Sequence, residues 1–244
     1  MDARPMKGAR FEELAWRSTP LGEISLRRRI DPALRAEVFE VKLGDEYLMS
    51  SLFTVAEVEL ARLALAARPH GGVDMVVGGL GLGCTADAAL ADERVRSLIM
   101  VDALDDVIGW HRDGLLPLSA AIVADPRCRL VHGDFFALTA GAGFDPDAPA
   151  RRFHVIAVDI DHSPRHLLSP GHADFYTEEG LRRLRRHLHP GGVFALWSDD
   201  PPDAAFTTVL EAVFATSTAH VVTFANPVRG GESSNTVYVA VAAS

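Results

Sequence analysis

The sequence predicts an α/β fold built on a mainly parallel sheet with helices on both faces, and three observations point to it. Short apolar runs recur along the chain, most of them end in glycine or aspartate, and helix-compatible stretches separate them. In order, Val73 to Val77 runs into glycines, Ser97 to Val101 closes on Asp102, and Arg129-Leu130-Val131 is followed by Gly133-Asp134. Phe153 to Val158 then ends in Asp159, and Gly192 to Trp197 ends at Ser198-Asp199-Asp200. Between them, Thr85 to Leu90 and Val107 to Trp110 suit helices, as does Phe206 to Phe214 further on. His220 to Phe224 and Thr236 to Val241 suit a terminal antiparallel hairpin at the sheet edge, and Ala140 to Ala150 a surface loop.

The first fifth of the chain has another rhythm. From Leu21 to Ser51 apolar and polar residues alternate in Glu23-Ile24-Ser25-Leu26 and in Val38 to Leu43, and Gly44-Asp45 precedes Tyr47-Leu48-Met49. That pattern predicts short antiparallel strands with tight turns. Thr54 then caps a periodic apolar helix through Leu65, which stops before Pro69-His70-Gly71-Gly72. We therefore divide the chain into an N-terminal β-hairpin element, residues 1–53, and a nucleoside-binding domain, residues 54–244.

Bulk properties narrow the function. A chain of 244 residues with 48% hydrophobic residues builds one main core. A net charge of -9 gives no surface for a phosphate backbone, so no nucleic acid partner is expected. The arginines at 27–29 and 182–186 read as solvated faces of a strand and a helix. Two cysteines, Cys84 and Cys128, are too few for a disulfide framework and lack zinc-site spacing. With no signal-like leader and no apolar stretch near ~20 residues, the expectation is a cytoplasmic protein without a membrane anchor. Asp161-His162 and His166 lack a third ligand, so no metal is expected. His187 and His189 read as complements to a helix dipole. Trp110 and His111 read either as neighbours of a bound adenine or as core or surface residues.

Ligands of an open parallel sheet bind beyond the carboxyl ends of its strands. There the first strand carries Gly79-Leu80-Gly81-Leu82-Gly83, a turn that lets backbone approach a ligand. Asp102 follows about twenty residues on, where a carboxylate accepts hydrogen bonds from ribose hydroxyls. Gly133-Asp134 and Asp159-Ile160-Asp161 complete the series. A dinucleotide reading stays open, because Ala86 satisfies the alanine variant of its third glycine. A diphosphate, however, favours a helix start free of carboxylates, and this chain is acidic at nearly every strand end. An uncharged adenosine carrying a cationic sulfonium suits that environment better.

These residues resemble the spermidine synthase branch of the class I S-adenosylmethionine-dependent transferases. The resemblance runs from Val76 to Tyr176: the glycine turn, Asp102, Asp125-Pro126-Arg127, Gly133-Asp134, Phe153 to Asp159, Pro164 and Phe175-Tyr176, with Pro190-Gly191-Gly192-Val193 beyond. It implies a Rossmann-like class I methyltransferase fold with a small N-terminal β-hairpin element, and a homodimer. It implies Gly79, Gly81, Gly83 and Gly133 at the cofactor, Asp102 on the ribose and Asp134 on the adenine amino group. Asp159 would face a small cationic amine, and Asp161 and Tyr176 would share its catalytic pocket. The chain also departs from that branch. Where aminopropyltransferases place an aspartate inside the turn, this chain has Gly81, and it lacks their Gln after the hairpin and their Tyr-His pair near Val55 to Val58. Methyl transfer from S-adenosylmethionine is therefore the leading expectation. Aminopropyl transfer from decarboxylated S-adenosylmethionine is the alternative, and a non-catalytic nucleoside-binding protein is the alternative of another class.

Overall fold

The structure, a computed structural model, describes residues 11–19, 22–32, 34–68, 70–226 and 228–244. Leu21, the expected start of the antiparallel segment, and Pro69, in the expected breaker cluster, lie outside them. Two sheets are present among the described residues. The first joins β1 (Phe11–Thr19), β2 (Gly22–Ile30), β3 (Glu37–Leu43) and β4 (Glu46–Ser50) in sequential antiparallel order. The second has seven strands: β5 (Val73–Gly78), β6 (Val95–Asp102), β7 (Cys128–His132), β8 (Phe153–Val158), β9 (Leu188–Ser198), β10 (Thr216–Ala225) and β11 (Glu232–Val241). Their spatial order is β10-β11-β9-β8-β5-β6-β7, with β5 to β9 parallel and the last hairpin antiparallel at the edge.

The expected fold class is therefore the observed one, and the reason is visible in burial. β5 and β8 are almost wholly buried because both faces are covered, which is why they appear in the sequence as unbroken apolar runs rather than as alternation. Burying a side chain such as Met75 or Phe153 contributes about 1.5–3 kcal/mol. One face of the sheet carries α1 (Val55–Ala66), α2 (Cys84–Leu90), α3 (Asp105–Arg112) and α4 (Ser119–Ala124), whose apolar residues share a single buried cluster. The other carries α5 (Phe135–Ala140), a 3-10 turn (Pro170–Tyr176), α6 (Glu178–Arg185) and α7 (Ala204–Val213) around an aromatic cluster.

Where the elements differ from expectation, local chemistry explains the difference. β1 was not anticipated because its residues are mostly exposed and polar, so no buried face imposes a pattern. Thr54 does precede α1, but its side chain makes no capping bond. The N-terminal sheet is also no satellite: Ile24, Leu26, Phe39 and Val41 join the cluster that holds α1 and β5. The three β2 arginines are half-buried and, as consecutive strand residues, alternate between its two faces rather than forming the one solvated face expected, Arg27 and Arg28 paired with Glu13 and Glu12 and Arg29 with Glu40 and Asp31. Among the described residues, no helix is long and apolar enough to cross a membrane.

The strand order sets the position of the site. From β5 the chain moves outward through β6 and β7, then returns to place β8 on the other side of β5. Where such connections diverge, a crevice opens at the carboxyl ends of the two central strands. Gly79 and Asp159 stand on its two sides, and Asp159 N donates to the Gly78 carbonyl at 2.8 Å.

Candidate active site

The turn after β5 is shaped by contacts that only glycine permits. Gly79 has φ +92°, and a Cβ there would fall 2.0 Å from the Asp159 carbonyl oxygen. Gly83, at φ +91°, packs so closely on Ile122 and His111 that a Cβ would meet them at 2.4 and 3.0 Å. His111 is buried beneath the turn, its Nε2 2.9 Å from the Gly81 carbonyl and its Nδ1 3.3 Å from Ser119 Oγ. A carbonyl only accepts, so Nε2 carries the proton and Nδ1 accepts from the serine hydroxyl. Burial holds the imidazole below its usual pKa, keeping that neutral tautomer. His111 thus supports the turn from within the core.

Asp102, ending β6, braces the same turn from the side. Its Oδ2 accepts from Leu80 N at 3.0 Å and its Oδ1 from Leu104 N at 2.9 Å, while burial raises its pKa. Gly133 N donates to the Asp102 carbonyl at 2.9 Å, joining the ends of β6 and β7. Asp134 caps α5, its Oδ1 accepting from Phe136 N and Ala137 N, and its side chain is exposed. It borders a smaller cavity of about 310 Å³ with Phe136, His172 and Arg183.

The main cavity, of about 550 Å³, is lined by the turn from Leu80 to Gly83, and Gly79, Asp102, Gly133 and Asp134 do not line it. Gly81, Gly83, Cys84 and Thr85 form its floor; β4 supplies Tyr47 to Met49, α1 supplies Glu57, and the β10–β11 hairpin supplies Asn226, Arg229 and Asn235. Asp159 and Asp199 face it from the ends of β8 and β9. Asp199 is held by Asn235 Nδ2 at 2.7 Å. Thr85 Oγ1 lies 3.3 Å from Asp159 Oδ2 and 3.2 Å from the Glu57 carbonyl oxygen. Burial raises the Asp159 carboxyl to about 6, and burial together with the Asp159 charge raises Glu57 to about 8. The Cys84 thiol in the same floor goes up to about 12 through burial and these two carboxylates. Negative charge is crowded here, and among the lining residues Arg229 is the single Lys or Arg.

Asp161 and Tyr176 do not share this cavity, contrary to expectation. Asp161 is 1% exposed and satisfied from three directions: Leu168 N and His172 Nδ1 donate to Oδ1 at 2.7 and 2.8 Å, and Tyr176 OH donates to Oδ2 at 2.8 Å. The group pins the loop after β8 to the 3-10 turn. Other acids and histidines of the strand ends also find local partners: Asp203 caps α7, and His166 Nδ1 lies 2.9 Å from Asp200. His187 Nε2 donates to the Thr139 carbonyl at 2.9 Å, in the last turn of α5 rather than in the helix it follows. Glu57 was not anticipated. Its only sequence signal is a carboxylate in the first turn of a helix, the commonest place for one.

No protein-family model matches the sequence. Among solved structures the chain is similar to a spermidine synthase in complex with the transition-state analogue AdoDATO, at 19% identity and TM-score 0.70 over 94% of this chain and 73% of that one. It is similar to the spermidine synthase from Thermotoga maritima at 18% identity and TM-score 0.69, covering 94% and 72%. Human methyltransferase-like protein 13 in complex with SAH matches at 18% identity and TM-score 0.50, covering 77% and 78%. At these identities the likeness establishes the fold alone, one that this chain shares with these three structures.

Proposed function

We propose that this protein is a transferase that takes a sulfonium donor of the S-adenosylmethionine type and methylates an amine of a small cationic acceptor. One observation carries the reading: Asp159, its backbone N–H tied to the Gly78 carbonyl at the β5–β8 crevice, lines an acidic cavity floored by the glycine turn. In this reading Asp102 receives the ribose, Gly79 to Gly83 and Gly133 let the nucleoside lie against backbone, and Asp134 meets the adenine edge. A sulfonium is already activated. The protein's part is to hold an amine in line with the carbon that moves and to help strip its proton.

The choice of methyl over aminopropyl rests on the turn. A Cβ at Gly81 would stand 3.2 Å from the Met49 thioether, so that side of the cavity offers sulfur where a carboxylate would have welcomed a donor amine. Arg229 in the lining suits a donor that keeps its carboxylate. Aminopropyl transfer remains the second reading, favoured by the acids Glu57, Asp159 and Asp199 around the same space. Homodimerisation belongs to the proposal too, and the exposed aromatic residues Phe11, Trp16 and Tyr47 of the N-terminal sheet support it.

Calorimetry with S-adenosylmethionine, its decarboxylated form and methylthioadenosine tests the donor. The expected order is tightest binding by S-adenosylmethionine, with Arg229→Ala erasing its advantage over the decarboxylated form. Preference for the decarboxylated donor would reverse the choice of group transferred, and binding of NAD in place of all three would end the reading.

A further inference from the structure

The amino ends of β8 and β9 border a concave surface of about 460 Å³, at the opposite end of these strands from Asp159 and Asp199. β8 is six residues long, so about 20 Å separates its two ends. Phe153 stands opposite Leu188 in the parallel register, which brings the segment before β8 beside the end of α6. Arg152, Arg182, Arg185, Arg186 and His189 line the concavity as a result, and among the described residues that line it none is acidic. Leu188 and Ala242, both buried, supply part of its apolar surface.

The arginines here differ in their partners from many others in the chain. With a net charge of -9 the protein has carboxylates to spare, and Arg29, Arg94, Arg127, Arg151 and Arg165 each hold one at 2.8 Å or closer. Arg152, by contrast, makes no hydrogen bond or ion pair with any described residue, and Arg185 donates to the Val213 carbonyl at 2.9 Å. Arg186 comes no nearer than 3.9 Å to Glu179, which Arg183 also approaches. Arg182 has a close partner, Glu178 at 2.7 Å, but that pair lies on the exposed surface of α6, where such a contact contributes little. Guanidinium groups gathered in one concavity repel one another, and a multiply charged anion seated among them turns the repulsion into attraction.

We propose that this concavity is a binding site for a small anion with two or more linked phosphate groups, either free or as the phosphate end of a nucleotide. The guanidinium fork matches phosphate oxygens two at a time, and four such forks exceed what a single phosphate or carboxylate can use. Size favours a small molecule, since the volume falls in the range of ordinary ligand sites. Charge does so too. Glu178 and Glu179 lie one turn back along α6, so a long polyanion crossing the arginines would run onto carboxylates. The site stands apart from the transferase reading, because it shares no lining residue with the main cavity.

The test is calorimetric titration of the full chain, in magnesium-free buffer of low ionic strength, with pyrophosphate, ATP, ADP, inorganic phosphate and sulfate. Pyrophosphate should bind at least 10-fold more tightly than phosphate or sulfate, and saturating S-adenosylhomocysteine should leave its affinity unchanged. Arg152→Glu and Arg186→Glu change exposed side chains without close ion pairs, so both proteins should melt with the parent; each should weaken pyrophosphate by about 10-fold or more. Arg229→Ala, in the main cavity, should not. ATP or ADP binding more tightly than pyrophosphate, with the same sensitivity to Arg152→Glu, would assign the site to a nucleotide, and equal affinities would assign it to the diphosphate alone. Equal affinity for pyrophosphate, phosphate and sulfate would overturn the proposal, as would pyrophosphate binding that both charge reversals leave intact or that S-adenosylhomocysteine displaces. Tighter binding to anionic phospholipid vesicles or duplex DNA than to pyrophosphate, lost in Arg152→Glu, would overturn it in favour of a macromolecular surface.

Discussion

Asp159 and Asp161 leave the same strand two residues apart and meet opposite fates. Asp161 is sealed from solvent, and its carboxylate takes hydrogen bonds from a backbone amide, a histidine and a tyrosine. Asp159 faces a cavity with a single 3.3 Å contact from Thr85 and another carboxylate for a neighbour. The contrast separates two uses of buried charge. A carboxylate whose acceptor capacity is filled by its own chain has become a joint in the scaffold. One that stays underfilled beside a cavity is held ready for something that the chain does not contain.

Substitutions at these positions sharpen the contrast, beginning with the largest effect. Asp159→Asn should lower turnover by about 1,000-fold, within the range of acid–base contributions, while leaving the melting temperature and nucleoside affinity near those of the parent; product mass spectrometry and calorimetry read the two. Asp161→Asn should do the reverse. The amide NH2 replaces one carboxylate oxygen and so confronts either the Tyr176 hydroxyl or the Leu168 and His172 donors, which should cost about 3 kcal/mol, or roughly 6–12 °C in Tm, with kcat little changed in the protein that remains folded. A loss of turnover without a loss of Tm would return Asp161 to the reacting groups. Tyr176→Phe removes one donor from the same joint and should cost about 1 kcal/mol by denaturant unfolding, again sparing kcat.

The smallest effect is on pH. Burial raises the folded-state pKa of Asp159 and Glu57 above the unfolded value of about 4, so the stability gained from holding these protons is complete below that value. It is lost as the pH rises through the range from about 6 to about 8 over which the pair titrates together. Thermal melts of the ligand-free protein should accordingly fall between pH 5 and pH 8.5 by more than those of Glu57→Gln. A bound ammonium should flatten the dependence.

The sheet was legible because parallel strands buried on both sides need continuous apolar sequence, and the strand ends Gly79, Asp102, Gly133 and Asp159 were legible because the chain must turn there. What separates Asp159 from Asp161 was not, since the partners of Asp161 come from Leu168, His172 and Tyr176, each placed by a loop whose path the local pattern does not set. Glu57 was hidden for a related reason. A glutamate opening a helix satisfies the helix dipole wherever it points, and only the packing of α1 against α2 turns this one toward the cavity. β1 escaped because it packs too little to leave a pattern.

The terminal hairpin supplies one wall of the cavity, and its place in the sheet has a consequence for assembly. β10 touches the sheet only through β11, which follows it in the chain and inserts between it and β9. During synthesis β10 emerges before the strand that must anchor it, so the glycine turn and its carboxylates can be complete while the cavity still has an open side. Ligand capture is then a late event in maturation. A newly made chain should acquire a native-like central sheet, and protection of its amides from exchange, before it acquires affinity for any small molecule that uses Asn226, Arg229 or Asn235.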